Sequence, residues 1–132
     1  MNNVIISFPH VVDGRGGLAF AEWPSSVPFA VKRVFWIYDV PPHAQRGGHA
    51  HWKCSEVVVA VSGGFTMVLD DGEGRTDVRL SSPTEGVVVP AGVWCELRDF
   101  VPGTVLMVMA SHPYDADGYV HDYEEYLKMK RP

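Results

Sequence analysis

Cysteine is scarce: Cys54 and Cys95 are the two in 132 residues. A disulfide framework of the kind that staples small secreted domains is therefore not expected. No apolar run approaches the roughly 20 residues of a membrane span. The opening MNNVIISFPH lacks the basic start and long apolar stretch of a secretory signal. These absences predict a cytoplasmic protein with no membrane attachment. Basic residues are also few, with Lys and Arg numbering 11 against 16 Asp and Glu for a net charge of −5. That balance gives no reason to expect nucleic acid as a partner. An anionic ligand would have to be held by a few local arginines rather than by a general field.

Helical periodicity is missing until the end of the chain. What is present instead is a series of short runs rich in β-branched and aromatic residues. They are VIISF (4–8), GLAFAEW (17–23), RVFWIYDV (33–40), SEVVVAVS (55–62), FTMVLDD (65–71), DVRLSS (77–82), GVVVP (86–90), VWCELRDF (93–100) and TVLMVMAS (104–111). Asp-Gly, Gly-Gly and Pro-Ala-Gly turn signals separate them, at 13–14, 71–72, 16–17, 47–48, 63–64 and 90–92. Strands so spaced, with no helix between them, predict an all-β fold: an antiparallel sandwich or barrel, one domain over residues 1–132. The last stretch, DADGYVHDYEEYLKMK, predicts a short C-terminal helix with Asp117 as its cap. Val120, Tyr123, Tyr126 and Leu127 recur there at helical spacing and read as a packing face.

One stretch carries chemistry. In RGGHAHWKCSE (46–56), His49 and His51 are two apart, so an extended chain turns both imidazoles to one face. The pair suits a metal site, with Glu56 as a third donor. It suits equally a pair of acid/base groups facing one substrate. Glu56 lies an odd five residues beyond His51, so a regular strand would turn it to the opposite face and leave it structural.

H-x-H followed by Glu56 and Gly63, and later by Pro90, Ala91 and Gly92, resembles the cupins, small jelly-roll barrels. With the flanks included the resemblance narrows. DGRGGL (13–18), KRVFWIYDV (32–40), RGGHAH (46–51), LDDG (69–72), VVVPAGVWCELRDF (87–100) and VLMVMASHPYDADGYVHDYEEYL (105–127) are similar, in order, to blocks of the cupin-type sugar-nucleotide 3,4-ketoisomerases. The resemblance implies a cupin-like antiparallel β-barrel that isomerises a dTDP-linked 4-keto-6-deoxyglucose to the 3-keto sugar, for deoxyamino-sugar biosynthesis. It implies no metal, no nicotinamide or other cofactor, and a homodimer with exchanged strands.

Moving a carbonyl from C4 to C3 requires removal of the acidic C3 proton, an enediol or enediolate, and delivery of a proton to C4. Imidazole, with an ordinary pKa of ~6.5, serves both steps. By the resemblance His49 is the base, and His51 shares proton delivery or polarises the oxygens. Arg46, Arg15 and Arg33 are candidates for the substrate diphosphate. Trp36, on one strand face with Tyr38, is a candidate to stack a thymine. Arg98 resembles the branch of the family that keeps the gluco configuration at C4, where the other branch has histidine. Cys95 stands where some relatives carry histidine. Two other readings stay open at this point: a metal-dependent cupin using His49, His51, Glu56 and Cys95, and a non-catalytic sugar-binding barrel.

Overall fold

The computed structural model describes residues 4–131. The β-branched runs form strands β1 (Ile5–Ser7), β2 (His10–Asp13), β3 (Gly16–Ala19), β4 (Arg33–Ile37), β5 (Arg46–His51) and β6 (Glu56–Ser62). They continue as β7 (Phe65–Asp70), β8 (Arg75–Leu80), β9 (Glu85–Val89), β10 (Trp94–Arg98), β11 (Val105–Ala110) and β12 (Tyr119–Val120). Helix α1 (Tyr123–Lys130) closes the chain.

Two antiparallel five-stranded sheets, β1-β9-β6-β11-β4 and β12-β5-β10-β7-β8, face one another. Strand alternation fills the space between them. On β6, Val58 and Ala60 point inward against Phe65, Leu69, Leu97 and Leu106. The intervening Val57 and Val59 point outward and are covered by Phe8, Val27 and Met109. β6 is thus apolar on both faces, which is why SEVVVAVS shows no polar alternation. Each fully buried Val, Leu or Phe contributes about 1.5–3 kcal/mol of transfer free energy. This is the all-β antiparallel barrel with a short C-terminal helix that the turn spacing predicts.

Four details differ from the sequence reading. The predicted strand over 17–23 forms only as Gly16–Ala19, and His10–Asp13 pairs with it as a separate hairpin. Gly47 and Gly48, read as a turn, lie inside β5, both at positive φ (78° and 75°). There they make a bulge: Leu97 faces Arg46 and Cys95 faces His49, so three residues of β10 oppose four of β5. A Cβ on Gly47 would come within 3.0 Å of the Cys95 carbonyl, so glycine is required by space as well as by φ.

The other two concern the C-terminus. Asp117 is not the helix cap, and the helix does not begin there. Tyr119 and Val120 pair with His51 and Ala50 instead, and this pairing holds the segment extended. Asp122 caps α1, its carboxylate accepting the Glu125 N–H at 3.0 Å. The tyrosine face does pack as predicted. Buried Tyr126 meets Trp94 and Val120, and its hydroxyl donates to the Gly92 and Asp70 carbonyls.

Candidate active site

β5, β6, β10 and β4 all bring inward-facing residues to one end of the barrel. His49 and His51 come from the end of β5, Glu56 from the start of β6, Arg33 from the start of β4 and Cys95 from β10. Tyr119, on β12, lies across the imidazoles, with ring centroids 5.2 Å from His49 and 4.2 Å from His51. The two imidazoles meet edge to face, 4.8 Å apart. Together with Arg46, Phe35 and Met67 they line a small cavity of about 150 Å³. It adjoins a larger one of about 470 Å³, to which Arg33, Lys53, His112 and Tyr114 contribute. His51 and Tyr119 line both.

Burial dominates the electrostatics. It depresses both imidazoles to about 4, against an ordinary value near 6.5. The neighbouring His121 adds to this at His49, while a hydrogen bond to the Gly47 carbonyl opposes it. At His51 the nearby His49 and Arg33 reinforce the effect of burial. Both rings are therefore neutral at cellular pH and able to accept a proton. Burial pushes Glu56 up to about 7, although Arg33 pulls the other way. The Cys95 thiol is raised far above its usual range, again by burial first and by Glu56 second, so it is neither thiolate nor ready nucleophile.

Glu56 overturns the parity expectation. His51 ends β5, and residues 52–55 turn before β6 begins, so no continuous strand connects the two and the odd offset has no force. The Glu56 carboxylate sits 3.4 Å from His51 Nε2 and 4.0 Å from the Arg33 guanidinium. His49, His51 and Glu56 each place a donor atom within 4.8 Å of the others, a spacing that one divalent cation could bridge.

The family model for the WxcM-like, C-terminal domain (FdtA) matches residues 1–131. The chain belongs to this family. A relative named TDP-4-oxo-6-deoxy-alpha-D-glucose-3,4-oxoisomerase, from Aneurinibacillus thermoaerophilus, is 38% identical over 128 residues, covering 97% of this chain and 92% of its own. A crystallised 3,4-ketoisomerase from Helicobacter canadensis superposes with a TM-score of 0.94 at 35% identity, covering 97% of this chain and 96% of its own. A mutant 3,4-ketoisomerase from Thermoanaerobacterium thermosaccharolyticum, in complex with TDP-4-keto-6-deoxyglucose, gives 0.94 at 30%, covering 99% and 96%.

Against that family background the predicted residues divide into two groups. His49, His51, Arg46 and Arg33 converge on the two cavities. Arg33 also lies over the Phe35 and Tyr114 rings, at 5.0 and 5.6 Å. The remaining candidates lie elsewhere on the chain. Arg15 is at the tip of the β2–β3 hairpin, ion-paired with Asp13 at 2.8 Å and open to solvent. Trp36 points outward from β4, 62% exposed. Arg98 is on the outer face of β10, bonded to Glu96 at 3.1 Å.

Tyr119 and His121 escaped the sequence reading as site residues, and Glu56 entered it only as a metal donor. For both a signal existed in GYVHD, where Tyr119 and His121 alternate around the apolar Val120. A helical reading of the segment concealed it. Among the described residues no helix is long and apolar enough to cross a membrane.

Proposed function

We propose that the chain, acting as a single domain, isomerises dTDP-4-keto-6-deoxyglucose to the 3-keto sugar by proton transfer. The observation that carries this reading is a pair of imidazoles kept neutral inside a cavity beside a groove with cationic side chains. The names of the family relatives supply the substrate class.

His49 is the base for the C3 proton, whose acidity comes from the adjacent C4 ketone. His51, with Glu56 at its Nε2 edge, faces the same space and supports the oxygens or the return of the proton. Arg46 lies in the inner cavity and Arg33 in the outer one, so a diphosphate spanning the two meets both. Incubating the enzyme with this substrate in deuterated water tests the proposal. Solvent deuterium at C4 of a 3-keto product supports it, and an unchanged substrate rejects it in favour of a binding barrel. The product retains the gluco configuration, the reading that Arg98 favours, and NMR coupling constants of the product test that. Activity lost to a chelator and restored by a divalent ion would replace this reading with a metal-assisted one.

The working unit is a homodimer built by exchange of the β2–β3 hairpin. In support, every residue of that hairpin is exposed, including Val11 (59%), Val12 (74%) and Leu18 (62%). An apolar groove lined by Phe8, Phe20, Val59, Val61, Met107 and Met109 adjoins it. Exchange would carry Arg15 to the partner. Light scattering of Val12→Asp tests this arrangement, with a monomer expected.

A further inference from the structure

The proton that His49 removes has to leave the cluster or return to the same substrate molecule. His51, Glu56 and Cys95 around it are buried, and His49 itself is half-buried, so a group that links its ring to open solvent would speed the exchange. Arg46 lines the cavity, but a guanidinium does not give up protons at cellular pH. One further imidazole touches His49. The His121 ring centroid lies 5.9 Å from that of His49, and His121 is exposed to solvent.

The chain around His121 explains how it comes to be there. Val120 is turned into the Trp94–Tyr126 cluster, and the extended backbone therefore sends Tyr119 and His121 to the other side. Their rings stack with an interplanar angle of 1° and centroids 5.5 Å apart. Tyr119 thus holds His121 against the catalytic pair while itself covering both imidazoles. His121 also lines an open groove with Trp52, Asp117, Asp122 and Glu125, from which solvent reaches its ring. The spacing between His49 and His121 is suited to a single bridging water.

We propose that His121 is the relay through which His49 exchanges the substrate-derived proton with solvent. This rests on the ketoisomerase reading. In the first step the C3–H bond breaks, its electron pair becomes the C3=C4 bond and the C4 carbonyl oxygen takes the negative charge. His49 holds the proton and passes it through water to His121, which releases it to the groove. The hydroxyl proton on the C3 oxygen then moves to the C4 oxygen. C4 takes up a solvent-derived proton returned through His49, using the double-bond electrons, and C3 becomes the carbonyl. No oxidant or reductant enters.

Substrate carrying deuterium at C3, turned over in ordinary water, tests the relay. The native enzyme is expected to lose most of the label, leaving protium at C4. His121→Gln is expected to retain several-fold more label at C4. Its turnover should fall roughly tenfold, less than the ~10²–10⁴ for loss of the base itself. Free imidazole added to His121→Gly should restore the washout, which a structural role for His121 would not explain. Equal label retention in native and His121→Gln enzyme overturns the relay, whether or not turnover falls. So does a native enzyme that already retains the label. A native enzyme with no isomerase activity rejects the ketoisomerase reading, and the relay with it.

Discussion

The two ends of the barrel are built from the same strands and the same inward-facing alternation, yet they do opposite things. On β6 the inward row runs Glu56, Val58, Ala60, and on β4 it runs Arg33, Phe35, Ile37. On β10 it starts at Cys95 and reaches Leu97. At one end these rows are polar and surround a cavity. At the other they close on Phe65, Phe100 and Leu106, and the buried Thr104 hydroxyl there is satisfied by the Gly64 and Val101 carbonyls. Strand geometry thus supplies positions, and the residue at the strand terminus decides whether a position makes a core or a site. The polar end also bears an energetic cost that the apolar end does not. His51 Nε2 and Arg33 Nε are buried without a hydrogen-bond partner, groups that a bound substrate or water can satisfy.

Substitutions at each end should separate activity from stability. His49→Asn is expected to lower turnover by roughly 10²–10⁴ while leaving nucleotide binding and the melting temperature nearly unchanged. Near-normal turnover in a steady-state assay would remove His49 from its role. Leu106→Ala, at a fully buried position of the apolar end, should cost about 2–5 kcal/mol in denaturant unfolding. Below its melting point it should keep native kcat/KM. A proportionate loss of kcat/KM would show that the two ends are not independent.

pH sharpens the contrast further. His49 and His51 are depressed to about 4, so the unfolded chain binds protons more readily than the folded one between there and the ordinary 6.5. Their contribution to stability is complete above that window and is lost as pH falls through it. Glu56 is raised to about 7 from 4.5, so its contribution is complete below 4.5 and is lost as pH rises towards 7. The effects oppose one another between 4.5 and 6.5, with two histidines against one glutamate. Glu56→Gln should therefore make stability rise more steeply with pH across that window, measured as melting temperature against pH. A slope unchanged from native would show that Glu56 titrates normally. The smallest effect is expected away from both ends, where Asp122→Ala removes the α1 cap and should cost about 1 kcal/mol. Activity in that variant should be retained.

Much of the barrel was legible in the sequence because strands buried on one or both faces write their pattern into consecutive residues. The cluster was only half legible. His49 and His51 are local, two residues apart on one strand, and alternation alone places them together. Glu56 was misjudged because parity holds only along an uninterrupted strand, and residues 52–55 interrupt it. Tyr119 and His121 were hidden because the apolar spacing of 120, 123, 126 and 127 fits a helix, whereas pairing with β5 keeps the first of these extended. Long-range pairing decided that segment, and no local window contains it.

The double-glycine bulge in β5 carries a consequence for chain length. Arg46 and His49 are three apart, an odd separation that would place them on opposite faces of a regular strand, yet both line the inner cavity. The bulge acts as a parity switch that brings them back to one side. A strand of the same length without the bulge would turn Arg46 out of the cavity, whereas deleting one glycine together with the bulge would set Arg46 two residues from His49 and keep both on the cavity side. The residue count between the arginine and the first histidine is thus matched to the bulge, and either can change only together with the other.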